Sequence, residues 1–145
     1  AEEAESGVCD YGTWTRFGEA SKCHAAALAE AVRELAVTGP VVGYGASARS
    51  STMMNFAGIN VDEVVAVIDQ NPGKQGLYTP GTDIPIVSRA EGLSMLGDDG
   101  GVLLLAWNFA DEILEGLRAD GIRCDVLVPL PGDMRTIREG DEWRS

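Results

Sequence analysis

Apolar residues recur at steps of three and four between residues 13 and 37, and charged residues occupy the opposite side of that spacing. The apolar positions are Phe17, Ala20, Ala27, Leu28, Ala31 and Leu35. This spacing predicts a long amphipathic helix. The run Thr38-Gly39-Pro40 ends the helix, because glycine and proline terminate helices. Residues 1–12 are expected to form a flexible leader in front of it.

Five short apolar runs follow and are predicted to be β-strands, with helical segments between them. The strands begin at Val41, Val64, Ile84, Val102 and Asp125. The helices comprise one near residues 50–56 that ends at Gly58, one that begins near Ser88, and one from an Asn108 cap to Ala119. This alternation predicts a doubly wound α/β fold, a mostly parallel sheet of about five strands with helices on both faces.

The usual order of such a sheet is 3-2-1-4-5, which reverses between the strands that begin at Val41 and Val102. Ligands bind where the order reverses, because the connections that follow the two neighbouring strands run to opposite faces of the sheet and leave a crevice at the carboxyl ends. Residues 13–132 are expected to form this domain, and residues 133–145 a polar tail.

The first strand continues into a glycine turn and a helix start, Gly43-Tyr44-Gly45-Ala46-Ser47-Ala48-Arg49. Gly43 permits a sharp turn, Gly45 leaves the backbone open to a ligand, and Ala48 lets the helix pack closely on its strand. The amides at the helix start then face any anion placed above them. The pattern predicts a phosphate or nucleotide site. A turn that only packs strand against helix is the alternative.

Trp107 and Asn108 follow the fourth strand and are expected to form the opposite wall of the crevice. Asp111 and Glu112 begin the helix on that side and would repel a phosphate. The helix after the glycine turn carries instead the cation Arg49 and four hydroxyl residues, namely Ser47, Ser50, Ser51 and Thr52. We therefore expect an anion beside the glycine turn and Arg49, with Trp107 as an apolar face. For Arg49, the alternative is a solvated charge at a helix start.

Asp69 ends the second apolar run about twenty residues after the glycine turn, where a carboxylate can accept hydrogen bonds from ribose hydroxyls. A loop rich in glycine and proline follows, residues 70–83. Loops of this length are often functional in compact domains. Lys74, Gln75 and Tyr78 are therefore expected to bend toward the crevice or a neighbouring domain. A rigid surface loop between two strands is the alternative.

The composition of the chain argues against some classes of binding partner. The chain carries 23 acidic and 11 basic residues, a net charge of −12, so broad contact with nucleic acid or an acidic membrane is not expected. The sequence contains neither an apolar stretch of membrane-spanning length nor a signal-peptide pattern, and we expect a cytoplasmic protein.

The sequence contains few cysteine and histidine residues that could act in catalysis or bind a metal. Cys9, Cys23 and Cys124 form no CxxC pair, which indicates reduced, mostly buried thiols and no metal site. His24 is the only histidine and lies within the first predicted helix, where we interpret it as a helix-surface residue. A catalytic base must lie within hydrogen-bond reach of the substrate, and the sequence indicates none near the crevice. No catalytic residue is predicted.

Several separate motifs occur along residues 8–132 in a fixed order. They are Gly43-Tyr44-Gly45-Ala46, Ala48-Arg49, Asn55-Phe56-Ala57-Gly58-Ile59, Val67-Ile68-Asp69-Gln70-Asn71-Pro72, Lys74-Gln75-Gly76, Tyr78-Thr79-Pro80-Gly81-Thr82, Ile84-Pro85-Ile86 and Ala106-Trp107-Asn108. Together they resemble the Rossmann-like C-terminal domain of the SAM-dependent C-methyltransferases that act on nucleotide-linked deoxysugars. Where that family usually has Lys-Gly-Asn after the small-residue turn, this chain has Arg49-Ser50-Ser51.

The resemblance implies that separate domains of the enzyme bind zinc, SAM and the substrate. In the family, a zinc-binding module and a central SAM-binding domain precede this domain, and the sugar nucleotide lies between the central and C-terminal parts. The implied partners are a nucleotide-sugar or similar phosphorylated molecule and a SAM-binding domain of the same or a neighbouring chain. No cofactor is assigned to this domain itself, because Pro40-Val41-Val42 precedes Gly43 where a SAM turn has an acidic residue.

Two other functions remain open from the residues alone. One is a self-standing nucleotide-binding or regulatory module. The other is a small NAD-dependent oxidoreductase, which the sequence favours less because it shows no catalytic acid or base and no second substrate domain.

Overall fold

The computed structural model describes residues 13–129 and 135–138, with side chains within residues 24–129 and 136–138. The helices are α1 Thr13–Thr38, α2 Ala48–Ala57, α3 Arg89–Leu96 and α4 Ala110–Ala119. The strands are β1 Val41–Tyr44, β2 Val64–Ile68, β3 Ile86–Val87, β4 Gly101–Leu104, β5 Asp125–Val128 and β6 Arg135–Ile137. The expected leader, residues 1–12, lies outside the described residues.

The six strands form one sheet in the order β3-β2-β1-β4-β5-β6. β1 pairs in parallel with β2 on one side and with β4 on the other, so the order reverses between β1 and β4. The predicted doubly wound fold and the predicted order of its first five strands are confirmed. The carboxyl ends of β1 and β4 therefore flank one edge of the sheet, as a topological switch point requires.

The sixth strand is antiparallel and was not predicted. Val126 pairs with Ile137, and Val128 with Arg135, within the segment expected to be a polar tail. Ile137 is 3% exposed and packs in the core on one face of the sheet. The strand has three residues, and one buried apolar side chain among polar neighbours gives too weak an alternation to be recognised as a strand.

Two hydrophobic layers lie on opposite faces of the sheet. α1 and α2 cover one face, where Leu28 and Met54 pack with Leu103. α3 and α4 cover the other face, where Leu96 and Leu114 pack with strand residues. This arrangement explains why β4 is buried along its whole length, as its continuous apolar run predicts. Within the described part of the chain, no helix has the length and apolar character needed to cross a membrane.

The buried face of α1 differs from the predicted one at several positions. The buried side chains are Ala25, Leu28, Ala29 and Val32, whereas Ala27 is exposed. Alanine is compatible with either a buried or an exposed face. The alanine-rich sequence therefore predicts that α1 is a helix, but not which of its faces is buried. His24, interpreted as a surface residue, is half-buried, and its Nε2 lies 2.9 Å from the carbonyl oxygen of Pro129. That interpretation is wrong, because this side chain ties α1 to the end of β5.

The ends of α2 follow local chemistry, whereas the start of α4 differs from the expectation. Ser47 caps α2, with its hydroxyl accepting from the Ser50 amide, and Gly58 ends the helix in the left-handed conformation at φ 74°. Asn108 was expected to cap α4, but it lies in a 3-10 turn, Trp107–Phe109, and the residue before the helix is Phe109. The extra turn moves the start of α4 away from the end of β4.

The two helices on one face offer a matched test of this packing. A Cβ added to Gly92 of α3 would overlap Ile68 of β2, whereas one added to Gly116 of α4 would meet only an Arg89 nitrogen at 3.8 Å. We expect Gly92→Ala to lower the free energy of unfolding by about 1–3 kcal/mol. Gly116→Ala should raise it by about 0.5–1 kcal/mol, because helical glycine is entropically costly. Urea denaturation of both variants measures this; equal effects would contradict the packing.

Candidate functional site: the carboxyl edge of the sheet

Gly45 is held against the end of β4 at the point where β1 and β4 separate. The amides of Leu105 and Ala106 both donate to the carbonyl of Tyr44, at 3.0 and 2.9 Å. A Cβ on Gly45, whose φ is +103°, would lie 2.5 Å from the Cβ of Ala106. The missing side chain thus makes room for Ala106. The expectation that Gly45 keeps the backbone open to a ligand is wrong on this side of the turn.

Most amides of the glycine turn already have partners within the protein. The Gly45 amide donates to the Ile68 carbonyl at 2.7 Å, and the Ala46 amide to Asp69 Oδ2 at 3.1 Å. The Ser47 amide donates to the Ser50 hydroxyl at 2.9 Å. These groups are not free for an anion, contrary to the sequence-based expectation.

Two amides at the start of α2 remain available. Within residues 13–129 and 135–138, the amides of Ala48 and Arg49 have no hydrogen-bond partner, as the first amides of a helix usually do not. Any anion at this edge would meet these two donors and the positive end of the helix dipole. Among the described residues, the free amide donors at this edge therefore lie in the first turn of α2 and not in the glycine turn.

Asp69 and Lys74 fasten the glycine turn to the loop after β2. Asp69 Oδ2 accepts from the Ala46 amide, while its Oδ1 accepts from the Asn71 amide at 2.8 Å. Lys74 Nζ donates to the Ala46 carbonyl at 2.6 Å and lies 3.6 Å from Asp69 Oδ2. Both peptide groups of Ala46 are thus held by side chains from the loop. The proposed hydrogen bonds between Asp69 and ribose stay a prediction.

The loop itself is fixed by hydrogen bonds at several points. Gln75 Nε2 donates to the Asp69 carbonyl at 2.9 Å, and Asn55 Nδ2 on α2 donates to the Pro80 carbonyl at 2.9 Å. The buried hydroxyls of Thr79 and Thr82 bond to each other. These contacts agree with the rigid-loop alternative. Tyr78 is 64% exposed, and it lies in neither of the clefts described below.

A small cleft of about 110 Å³ lies between the start of α2 and the turn after β4. Arg49 and Trp107 face each other here, with the guanidinium carbon 5.8 Å from the centre of the indole ring. This cation–π contact is worth about 0.5–1 kcal/mol at an exposed site. Ser47 and Asn108 complete the polar lining. Within the described part of the chain no carboxylate pairs with Arg49, so its charge is available to a ligand.

The other hydroxyl residues of α2 turn away from this cleft. Ser50 and Ser51 are buried, and the Ser50 hydroxyl bonds to the Ser47 carbonyl at 2.8 Å. Thr52 Oγ1 donates to the Ala48 carbonyl at 3.0 Å. Ser47 is therefore the one hydroxyl of the expected set that lines the small cleft.

A second, larger cleft of about 690 Å³ opens between α3 and α4, beyond the ends of β1 and β2. Its volume lies in the range of ligand sites, about 300–1,000 Å³. Tyr44 forms part of its wall, and Ala106 and Phe109 line both this cleft and the small one. One crevice was expected, whereas two clefts lie at this edge of the described structure, and they share Ala106 and Phe109.

Arg89 is the main cation of the large cleft and was not among the predicted site residues. Its Nε donates to the Tyr44 hydroxyl at 3.0 Å, and its Nη1 lies 2.6 Å from Asp120 Oδ2. Desolvation lowers the pKa of Arg89, but the hydrogen bonds to Asp120 and Tyr44 outweigh it, so the pKa is raised. Its place directly after the Ser88 cap, at a helix start beside the crevice, is the signal that could have identified it.

The predicted site residues separate into three groups. Those that line the small cleft are Ser47, Arg49, Trp107 and Asn108. Those that line the large cleft are Tyr44, Gly45 and Asp69. Those that line neither of these two clefts are Gly43, Ala46, Lys74 and Tyr78. Gly43 is buried in the sheet, where a Cβ would lie 2.9 Å from Leu105 Cδ1.

The cysteine side chain that the structure describes is a free thiol. Cys124 is half-buried, and burial raises its pKa. Cys9 and the side chain of Cys23 lie outside the described residues. No group of three metal-ligating side chains occurs among the residues that the structure describes.

Comparison with known proteins gives two findings. The family model described as the C-methyltransferase C-terminal domain matches residues 1–131. The C-methyltransferase NovU of Streptomyces niveus is 33% identical over 135 residues, which cover 90% of this chain and 32% of that protein. The chain thus spans about a third of the length of this relative.

The contacts of Asp69 predict a role in stability. Asp69→Ala removes the acceptor for two backbone amides, and we expect the free energy of unfolding to fall by about 1–3 kcal/mol. Asp62→Ala is the matched control, because Asp62 is exposed and its carboxylate has no partner among the described residues; it should stay within about 0.5 kcal/mol of the parent. Thermal or urea denaturation measures both. If both variants lose equally little stability, the contacts of Asp69 to Ala46 and Asn71 do not stabilise the fold.

Proposed function

The chain belongs to the family of C-methyltransferase C-terminal domains, and on that premise we propose that it holds a nucleotide-sugar or related phosphorylated substrate for methyl transfer. The methyl donor and the catalytic groups are assigned to another part of the enzyme. The chain alone is then a binding domain and transfers no methyl group.

One observation carries this proposal, the position of Arg49 at the carboxyl edge of the sheet. Its guanidinium lies over Trp107, next to the two unpaired amides at the start of α2. A guanidinium presents its donors in a planar fork that matches phosphate oxygens. Stacking on the indole holds that fork at the cleft with less freedom than a solvated arginine has.

The distribution of charge favours a phosphate at the start of α2 over the start of α4. The net charge of −12 repels anions in general, so a phosphate needs a local cation. The first turn of α2 contains no acidic residue, whereas the first turn of α4 contains Asp111 and Glu112. A diphosphate is therefore expected to lie on the α2 side, where it accepts from the Arg49 guanidinium and from the amides of Ala48 and Arg49.

The residues of the glycine turn do not fit SAM. The amides of Gly45, Ala46 and Ser47 all donate to acceptors within the protein, which leaves none of these three donors for a cofactor at the turn. We therefore assign SAM, which supplies the methyl group, to a separate SAM-binding domain of the same or a neighbouring chain. A relative about three times as long as this chain leaves room for such a domain.

Removal of the Arg49 charge tests the proposal. Arg49→Ala should weaken the binding of thymidine diphosphate (dTDP) and of inorganic pyrophosphate at least tenfold, with little change in the stability of the fold. A tenfold loss of affinity is about 1.4 kcal/mol of binding free energy. Arg33→Ala, on the exposed face of α1, changes the net charge equally and should leave both affinities unchanged. Calorimetric titration measures them. Equal affinities in Arg49→Ala and the parent, or equal losses in both variants, would contradict a phosphate site at Arg49.

A further inference from the structure

The loop of residues 70–83 holds helix α2 near both of its ends. Before the start of the helix, Lys74 Nζ donates to the carbonyl of Ala46 at 2.6 Å. Near the other end, Asn55 Nδ2 donates to the carbonyl of Pro80 at 2.9 Å. Two contacts at opposite ends of a helix fix its direction as well as its position. The direction in which the side chains of its first turn project therefore depends on this loop.

Lys74 is the residue that connects the loop to the helix start. Its backbone is held in a turn, because its amide donates to the Asn71 carbonyl at 3.0 Å and its carbonyl accepts from the Leu77 amide at 3.1 Å. Its ammonium group lies 3.6 Å from Asp69 Oδ2, and the same carboxylate oxygen accepts from the amide of Ala46. The ammonium group thus binds the carbonyl of the residue whose amide the carboxylate binds.

The Lys74 ammonium lies outside both clefts. Lys74 lines neither the small cleft, which contains Arg49, nor the large one. The ammonium is directed to a backbone carbonyl and a carboxylate of the protein itself. Lys74 is therefore not expected to contact a phosphate at Arg49. Any influence of Lys74 on binding there has to pass through the segment that it holds.

The position of the Arg49 guanidinium depends on its backbone. The side chain is exposed, and it has no ion pair within the part of the chain that the structure describes. Its distance of 5.8 Å from the centre of the Trp107 ring is close to the limit of about 6 Å for a cation–π contact. Binding groups need to be held within about 0.5 Å of their productive positions. A small displacement of the start of α2 would therefore separate the guanidinium from the indole.

From these contacts we infer that Lys74 is a positioning residue for Arg49. It holds the carbonyl of Ala46 and so keeps the guanidinium over Trp107, without touching the ligand itself. The inference rests on the proposed function, in which a phosphate lies at Arg49. Without the ammonium, the Ala46 carbonyl loses a donor, and the Asp69 carboxylate, whose side chain is 15% exposed, loses its neighbouring cation. Both changes act just before the helix start, so the first turn of α2 is expected to shift.

Replacement of the ammonium tests this role. Lys74→Met keeps an unbranched side chain, and we expect it to weaken the binding of inorganic pyrophosphate roughly fivefold or more. The Trp107 indole N–H signal of the ligand-free protein should also shift, because the guanidinium leaves the ring. Arg33→Met, at an exposed position of α1, removes the same charge and should change neither quantity. Lys74→Arg keeps a cationic donor and should restore the affinity to within about threefold of the parent. Calorimetry and ¹H–¹⁵N NMR of the 145-residue chain measure these effects.

A double-mutant cycle separates positioning from a direct effect of charge. In the Arg49→Ala protein, Lys74→Met should cause no further loss of pyrophosphate affinity, because a residue that acts through Arg49 has no effect once the guanidinium is gone. An equal further loss would show that Lys74 acts on the anion by its own charge, which overturns the inference. Parent-like binding in Lys74→Met, together with weaker binding in Arg49→Ala, overturns the inference and leaves the proposed function intact. Parent-like binding in Arg49→Ala overturns the proposed function.

A measurement on the unaltered chain does not depend on the folding of any variant. The sequence has two lysines, Lys22 and Lys74, so few Cε signals need to be assigned in a ¹H–¹³C NMR spectrum. Addition of pyrophosphate should change the Cδ signal of Arg49 more than the Cε signal of Lys74. A larger change at Lys74 would place the anion at its ammonium group, and the inference would then be wrong even if Lys74→Met did not fold.

Discussion

The contact between Gly45 and Ala106 determines how the carboxyl edge of this sheet is built. At a φ of +103°, Gly45 lets the chain leave β1 directly beside the end of β4, with no side chain between the two backbones. Asp69 and Lys74 then hold the next peptide from the other side, at Ala46. Strand ends, loop and helix start are thereby joined into one rigid unit.

This rigidity changes the function of a glycine turn. Turns of this kind bind phosphate when their amides are free, but here the amides of Gly45, Ala46 and Ser47 are used inside the protein. The turn instead positions α2, so that Arg49 meets Trp107 above two unpaired amides. The binding role that we propose therefore belongs to the helix start, one turn beyond the glycines, and the glycines support it indirectly.

The sequence predicted the fold well because its signals are periodic and local. The apolar runs identified five parallel strands in the correct order, and Gly58 ends α2 as expected. β6 was missed because it has three residues and one buried apolar side chain. The face of α1 was misjudged at Ala27, since alanine does not distinguish a buried face from an exposed one. The cap at Asn108 was wrong because the extra 3-10 turn depends on how β4 ends.

The site was only partly predictable, because its details depend on contacts between distant segments. Arg49 and Trp107 were expected on opposite walls of one crevice, and the structure places them face to face across the small cleft. No pattern near Asp69 indicates that its carboxylate binds Ala46, 23 residues earlier in the chain. Arg89 was overlooked because its partners, Tyr44 and Asp120, are far from it in sequence. The division of the crevice into two clefts follows from these contacts.

The location of a bound anion tests the central claim most directly. In a ¹H–¹⁵N NMR titration of the chain with inorganic pyrophosphate, we expect the largest shift changes at the amides of Ala48 and Arg49 and at the Trp107 indole N–H. The amides of Gly45 and Ala46 should move little, because each already donates to a protein acceptor. Largest changes at Gly45 and Ala46, or no changes near Trp107, would contradict the account.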